Sequence, residues 1–293
     1  MDSLDAGQWR MIADVVAEVA GRPAEELDDT LAALLDAICE GTHSQRAFVV
    51  LASRAAPCEI TGTPDPLGGW RPRQVIHHRA PEEHIALSRA YFSQARAYMT
   101  DPHTQAVAGT SGSYRAFLRR ELVDDRTWER APQVAELWPA LGIADRLMGA
   151  ASASPRAEVL VCLDRGRGDG RFRETDRDWL AAIIQRTSWF LRRVVWSHGL
   201  MTADALLSPR ERELVVRLLG KMSEKQIAAE LGLTTGTAHQ YIVAIYRKLG
   251  IQSRAELMAG GSDAPGGAAK APARPRHGLS FFALRPTRSA STY

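Results

Sequence analysis

Residues 207–257 read LSPRERELVVRLLGKMSEKQIAAELGLTTGTAHQYIVAIYRKLGIQSRAEL. Four helix-start patterns follow one another in this stretch, with short connections between them. At the first, Ser208 offers a hydroxyl cap, a proline occupies the first helical position, and Glu211 can reach back to the cap. The same pattern begins again at Ser223, and a weaker one begins at Ser253. The stretch therefore predicts a compact module of four helices.

The second and third predicted helices are joined by a tight turn at Gly232, which is the helix-turn-helix arrangement. The third helix is capped by Thr234 or Thr235 and covers about 235–249. Apolar residues at helical spacing predict its buried side, which comprises Ala238, Ile242, Ile245 and Leu249. The opposite side then faces outward and is the predicted recognition surface.

If this helix enters a major groove, base edges meet the N-terminal part of its outward face first. His239 and Gln240 are the predicted direct-readout residues, and Val243 is predicted to make an apolar contact such as one with a thymine methyl. Hydroxyls at the helix N-terminus and nearby basic side chains suit DNA phosphates. The predicted phosphate contacts are Lys225, Thr234, Thr235, Thr237, Arg247, Lys248 and Arg254.

This stretch resembles the LuxR/GerE-type helix-turn-helix. The matching segments are LSPRERE (207–213), IA (227–228), LGL (231–233), Thr237, IYRKLG (245–250) and SRAEL (253–257). The resemblance implies a transcription factor that dimerises, partly through the fourth helix, and reads an inverted repeat in double-stranded DNA. A contact with RNA polymerase is a further expectation. The sequence departs from the family at His239, where a lysine is usual, and the loss of that charge leaves the target sequence open.

Charge is distributed unevenly along the chain. The first 207 residues hold 24 Lys or Arg and 28 Asp or Glu, whereas residues 208–258 hold eight and five. A basic segment behind a mildly acidic body suits a DNA-binding module. All 24 of the early basic residues are Arg, which favours a bacterial origin with a GC-rich genome. No run of eighteen apolar residues and no secretory signal is present, so we expect a cytoplasmic protein without membrane contact.

The first two hundred residues predict one sheet with helices packed on it, and thus an α+β chain. The predicted helices cover about 8–19, 27–39, 81–99 and 175–196, the last one capped by Thr175. The predicted strands cover 46–52, 73–78, 143–151 and 157–163, and 101–113 is predicted as a loop. This region resembles a GAF-like sensor domain, most clearly at VLVCLDR (159–165), GDGRF (168–172) and TDRDWL (175–180). The resemblance implies a GAF/PAS-like α/β sandwich that binds a small molecule or mediates dimerisation.

A second resemblance concerns a candidate ligand pocket. Tyr91, Tyr98, Asp101-Pro102 and Trp128 resemble the aromatic and Asp-Pro positions of the autoinducer-binding domain of quorum-sensing LuxR proteins. With Trp70, these residues form the predicted small-molecule pocket. Aromatic residues that only fill a core are the alternative.

We predict five segments: an N-terminal helix (1–25), a sensor domain (26–198), a linker (199–206), the DNA-binding domain (207–260) and a disordered basic tail (261–293). Trp189 and Trp196 lie seven residues apart on the closing helix and predict a homodimer contact. The alternative is that both pack within one chain.

The sequence presents no recognisable catalytic constellation, cofactor motif or metal-ligand spacing, so we predict that the chain is not an enzyme and binds no cofactor or metal. Three function classes remain from the sequence: a DNA-binding regulator with a sensor domain, a quorum-sensing-type regulator, or a regulator that acts by protein contact with a degenerate DNA module.

Overall fold

Two amphipathic helices lead into the sheet. The computed structural model describes residues 4–201 and 206–260. Helix α1 (Ala6–Gly21) begins at a capping box, in which Gln8 N–H donates to the Asp5 carboxylate over 2.8 Å. Helix α2 (Leu27–Gly41) buries seven residues, because its apolar side chains recur at helical spacing.

The sheet has five strands, all pairing antiparallel in the order β2-β1-β5-β4-β3. The strands are β1 (Arg46–Arg54), β2 (Trp70–His78), β3 (Arg115–Leu118), β4 (Asp145–Ser154) and β5 (Ala157–Arg165). Alternate residues of a strand point to opposite faces. Val49 and Leu51 of β1 therefore join the main core, whereas Phe48 and Ala52 join smaller clusters on the other face.

The first face is covered by α1, α2, α9 (Glu174–Arg186) and α10 (Ser188–Ser197). Helix α9 lies very close to the sheet at Gly149, where an added Cβ would stand 2.2 Å from Ile184 Cδ1. Only glycine leaves room for that approach. The second face is covered by short helices: α3 (Glu82–Ser93), α4 (Ala95–Met99), α5 (Pro102–Gly109), α6 (Arg119–Leu122), α7 (Asp125–Arg130) and α8 (Pro132–Ala140).

The predicted α+β class is confirmed, and several element predictions are wrong. The stretch 101–113 is not a loop, since Asp101 caps α5 and accepts from His103 N–H over 3.2 Å. The helix predicted over 81–99 is interrupted at Gln94. The helix predicted over 175–196 is interrupted at Thr187, whose hydroxyl donates to the Ile183 carbonyl.

The start of α9 also differs from the prediction. It lies at Glu174, and Thr175 is not its cap: Asp176 accepts the Arg173 N–H over 2.8 Å instead. Strand β3 and helices α6 to α8 were not predicted at all.

Four helices close the described chain: α11 (Pro209–Leu219), α12 (Glu224–Glu230), α13 (Thr235–Leu249) and α14 (Arg254–Gly260). Each of the first two begins at its predicted capping box, with Ser208 Oγ and Ser223 Oγ accepting backbone N–H groups over 3.2 and 3.3 Å. Thr234 caps α13, and Gly250 ends it in a left-handed conformation with φ of 68°. The local signals in this stretch were sufficient to predict all four helices.

The four C-terminal helices pack against the preceding part of the same chain. The Trp196 indole N–H donates to the Leu257 carbonyl over 2.8 Å, and Arg212 forms an ion pair with Asp28. Val216 of α11 belongs to the same cluster of buried residues as the main core. The contact joins α10 and α2 to α11 and α14, and leaves the outward side of α13 uncovered.

Candidate DNA-binding interface and ligand cavity

The outward side of α13 presents the three predicted base contacts together. His239 and Gln240 are exposed, and Val243 has 51% of its surface exposed. The residues of the opposite side, Ala238, Ile242, Ile245 and Leu249, are all buried. The described residues leave about half of the Val243 surface uncovered beside two exposed polar side chains, so this strip is open to an external surface.

Glu224 adds a group to this strip that the sequence analysis missed. Its Oε2 lies 3.1 Å from His239 Nδ1. If Nδ1 carries the hydrogen, the neutral ring presents Nε2 outward as an acceptor. Glu224 is the first residue of α12, and the turn at Gly232 folds that end beside α13. This pairing depends on the angle between two helices, which the spacing along the chain does not specify.

The predicted phosphate contacts divide into two groups. Lys225, Thr234, Thr235 and Arg247 are exposed, and Thr237 is half-buried, with its hydroxyl 2.8 Å from Thr234 Oγ1. These residues surround the N-terminus and outer edge of α13.

Lys248 and Arg254 already have partners within the module. Lys248 Nζ lies 2.9 Å from Glu211 Oε2. Arg254 donates to the Met222 carbonyl over 2.6 Å and to the Leu218 carbonyl. Arg254 therefore holds α14 against the end of α11, and both residues have structural contacts that a phosphate would have to compete with.

A cavity of about 140 Å³ lies between the second face of the sheet and the short helices. All five predicted pocket residues line it: Trp70, Tyr91, Tyr98, Asp101 and Trp128. Trp128 contacts Trp138 edge to face, with ring centroids 4.2 Å apart. Phe48, Phe92 and Trp138 are further aromatic residues of the lining, and aromatic side chains are common in small-molecule sites.

Asp101 is surrounded by neutral donors. Its carboxylate accepts from Thr104 Oγ1 over 2.7 Å, from Tyr91 Oη over 3.2 Å and from the His103 backbone N–H over 3.2 Å. Burial, together with the Asp101 charge, raises the pKa of Tyr91 far above its usual value. The phenol therefore stays protonated as a donor.

Asp164 is a buried charge of the cavity and Arg146 a half-buried one, and the sequence analysis identified neither. Arg146 Nε lies 2.7 Å from Asp164 Oδ1, and the guanidinium stands over the Phe48 and Trp138 rings at 4.8 and 4.7 Å. Burial opposes the charge, but Asp164 holds the pKa of Arg146 above its usual value. The available signal was a charged residue near one end of each strand, since Arg146 is the second residue of β4 and Asp164 the second to last of β5.

The predicted dimer contact needs a correction for Trp196. That side chain is 2% exposed and packs on Leu257 and Gly260 of its own chain, so in this conformation it does not face a partner. Trp189 is half-buried and contacts Phe190. The sequence analysis also allowed both tryptophans to pack within one chain. For Trp196 this alternative fits the structure better, because α14 covers the side chain.

Two features are absent from residues 4–201 and 206–260. No helix there is long and apolar enough to cross a membrane. No group of three His, Cys, Asp or Glu side chains there is arranged to hold a metal ion.

Comparison with known proteins supports the C-terminal assignment. Residues 205–259 match the family described as "Bacterial regulatory proteins, luxR family". The chain is 41% identical over 61 residues to "Probable HTH-type transcriptional regulator GfsR" of Streptomyces halstedii; the match covers 21% of this chain and only a quarter of that relative's length (25%). The C-terminal segment is therefore a LuxR-family helix-turn-helix domain.

Two solved structures are similar over most of the chain at low identity. "SdiA in complex with octanoyl-rac-glycerol" has a TM-score of 0.43 and 14% identity, and covers 88% of this chain and 95% of its own. A crystal structure of Escherichia coli SdiA has a TM-score of 0.44 and 14% identity, and covers 87% and 96%.

Proposed function

We propose that this chain is a DNA-binding transcriptional regulator that places α13 in the major groove. The exposed strip of His239, Gln240 and Val243 is the observation that carries the proposal. It lies on a helix whose other side is fully packed, so the strip has a fixed position. A rigid helix with an open polar side at its N-terminal half is what groove recognition requires.

Each residue of the strip has a matching base group. The Gln240 amide can bond adenine N6 and N7 together, and Val243 can contact a thymine methyl. His239 Nε2, with Nδ1 directed to Glu224, can accept from an exocyclic amino group. Lys225 and the threonines at the start of α13 would fix the register on the phosphates without reading sequence.

The sensor side completes the proposal. We assign residues 26–198 to small-molecule binding or dimerisation, 199–206 to a linker and 207–260 to DNA binding. The N-terminal helix and the basic tail predicted for 261–293 complete this division, and the tail lies outside the described residues. A homodimer would read an inverted repeat, with each copy contributing one α13. A contact with RNA polymerase belongs to the same proposal.

A quorum-sensing-type regulator is a narrower form of this function. One observation favours it: the aromatic residues and Asp101 that carry that resemblance line one cavity rather than separate parts of the core.

In-vitro selection of DNA sites by the purified full-length protein tests the proposal. Selection at low and moderate salt should converge on a palindromic site, with affinity falling as salt rises because phosphate contacts release counterions. Gln240→Ala should alter the selected sequence. Gln185→Ala is the matched control, since Gln185 is an exposed glutamine on α9. Absence of any sequence preference at all salt concentrations would contradict the proposal and favour a protein-contact regulator.

A further inference from the structure

His103 is a buried polar side chain with an unsatisfied atom. It is the second residue of α5, has 4% of its surface exposed, and lines the cavity. Among the residues that the structure describes, none forms a hydrogen bond with its Nε2. The ring meets Trp128 edge to face at 5.6 Å, which limits its reorientation. Buried polar atoms in folded proteins nearly always have partners, so an orphan atom at a cavity wall indicates a group that is supplied from outside.

Arg146 offers a second unused donor at the same cavity. Its Nε and Nη2 donate to the two Asp164 oxygens over 2.7 and 3.1 Å. Within the described residues, no protein atom accepts from its Nη1. The Phe48 and Trp138 rings fix the plane of the guanidinium, so the remaining N–H groups have a set direction.

The charges around the cavity are balanced. Three basic and three acidic residues line it within the described chain: Arg46, Arg71 and Arg146, and Asp101, Glu158 and Asp164. Burial lowers the pKa of His103 to about 4, so its ring is neutral at neutral pH. Arg146 pairs with Asp164, and Arg71 and Glu158 pair with Asp65 and Arg115 outside the cavity. Within the described residues, Arg46 and Asp101 form no ion pair, and their charges are opposite. A charged ligand would therefore leave the site with a net charge, which is costly where water is largely excluded. An uncharged ligand avoids this cost.

The volume limits the size of the ligand. A cavity of about 140 Å³ is close to the engineered apolar cavity of about 150 Å³ that binds benzene. The aromatic walls suit a flat ring. A molecule about the size of one substituted ring fits this space.

We propose that the cavity binds an uncharged molecule of single-ring size with one carbonyl oxygen, which accepts hydrogen bonds from His103 Nε2 and Arg146 Nη1. The Asp101 carboxylate is not the anchor, since three protein donors already occupy it. The inference rests on the proposed sensor role, but the binding step needs no DNA.

Three probes of similar size test this chemistry on the full-length protein. Acetophenone carries the carbonyl, isopropylbenzene has the same shape without an acceptor, and benzoate carries a charge. Binding is followed by tryptophan fluorescence, since Trp70, Trp128 and Trp138 line the cavity, and by the shift in thermal unfolding. We expect acetophenone to bind and benzoate to bind at least about tenfold more weakly.

The variant His103→Leu tests the anchor. It should lower the preference for acetophenone over isopropylbenzene about fivefold, the size expected for one neutral hydrogen bond. His43→Asn is the control, because His43 is exposed and its φ of 49° is one that asparagine tolerates. This variant should leave the preference unchanged.

A measurement on the unmodified protein avoids any folding defect of the variant. The carbonyl stretch of bound acetophenone should lie at lower frequency than in an apolar solvent, because two donors bond the oxygen. A stretch at the apolar-solvent position, equal binding of benzoate, or no binding of any probe at millimolar concentration would each overturn the inference. None of these outcomes affects DNA selection, so a failure here is distinguishable from a failure of the proposed function.

Discussion

The outward side of α13 and the polar end of the cavity differ in how their polar groups are satisfied. On α13, His239 and Gln240 are exposed to water, apart from the contact between His239 and Glu224, so these residues add little to folding. In the cavity, Asp164 is buried, Arg146 is half-buried, and the two charges depend on each other. A substitution on α13 should therefore change binding alone, whereas one at the cavity should change stability as well.

The largest expected effect comes from breaking the buried pair. Arg146→Met leaves the Asp164 carboxylate buried without its partner, which should lower the free energy of unfolding by about 3–5 kcal/mol. Urea denaturation measures this. The double variant with Asp164→Leu should recover most of the loss, since no lone charge remains. A loss below about 1 kcal/mol in the single variant would contradict the account of the buried pair.

A second effect concerns acid stability where α10 packs near α11. Burial, with a contribution from the Arg212 charge, lowers the pKa of His198 to about 4. An unfolded histidine titrates near 6.5, so the unfolded state binds the proton first and stability falls as pH drops from about 6.5 to 4. Protonation of this residue should lower the free energy of unfolding by about 3 kcal/mol at most.

The variant His198→Phe removes that titration. Its free energy of unfolding should change less between pH 6.5 and 4 than that of the unmodified protein. An identical pH profile in both would exclude His198 as a source of acid sensitivity.

A negative charge on the recognition strip should act on DNA binding without acting on folding. Val243→Glu places a carboxylate against phosphates and base edges, so we expect at least about a tenfold loss of DNA affinity. Met11→Glu is the matched control, since Met11 is 47% exposed on α1. Anisotropy titration with a selected site measures the loss. Similar affinity in both variants would place the DNA elsewhere.

The smallest effect should come from Glu224. The exposed contact between Glu224 and His239 contributes less than about 1 kcal/mol, so Glu224→Ala should change total DNA affinity less than about fivefold. We expect a changed base preference at the position read by His239, because the ring loses its fixed orientation. Repeating the site selection with this variant measures it. An unchanged selected sequence would show that Glu224 does not orient His239.

The two regions also differed in how well the sequence predicted them. Caps such as Ser208 and Ser223, and the apolar stripe of α13, act within a few residues, so the C-terminal module was predicted helix by helix. The cavity brings β1, α5 and β4 together over a hundred residues of chain. The predicted pocket residues do line the cavity. Their proximity was predicted from a family resemblance, because no local sequence rule indicates it.

The errors have physical causes. The Asp101-Pro102 pair starts α5, but the Gly, Thr and Ser content that follows favoured a loop. Trp196 fitted a dimer seam by spacing, whereas α14 of the same chain covers it. The His239–Glu224 pair and the orphan His103 Nε2 depend on tertiary contacts, which spacing along the chain cannot specify.

We propose that the outward side of α13 reads bases. A double-mutant cycle between Gln240 and single base pairs of the selected site tests this contact. We predict that changing one particular base pair of each half-site weakens the binding free energy of the unmodified protein by about 1–3 kcal/mol. The same change should not alter the binding free energy of Gln240→Ala, whereas changes at the other base pairs should weaken both proteins equally. Equal losses for both proteins at every position would contradict the claim.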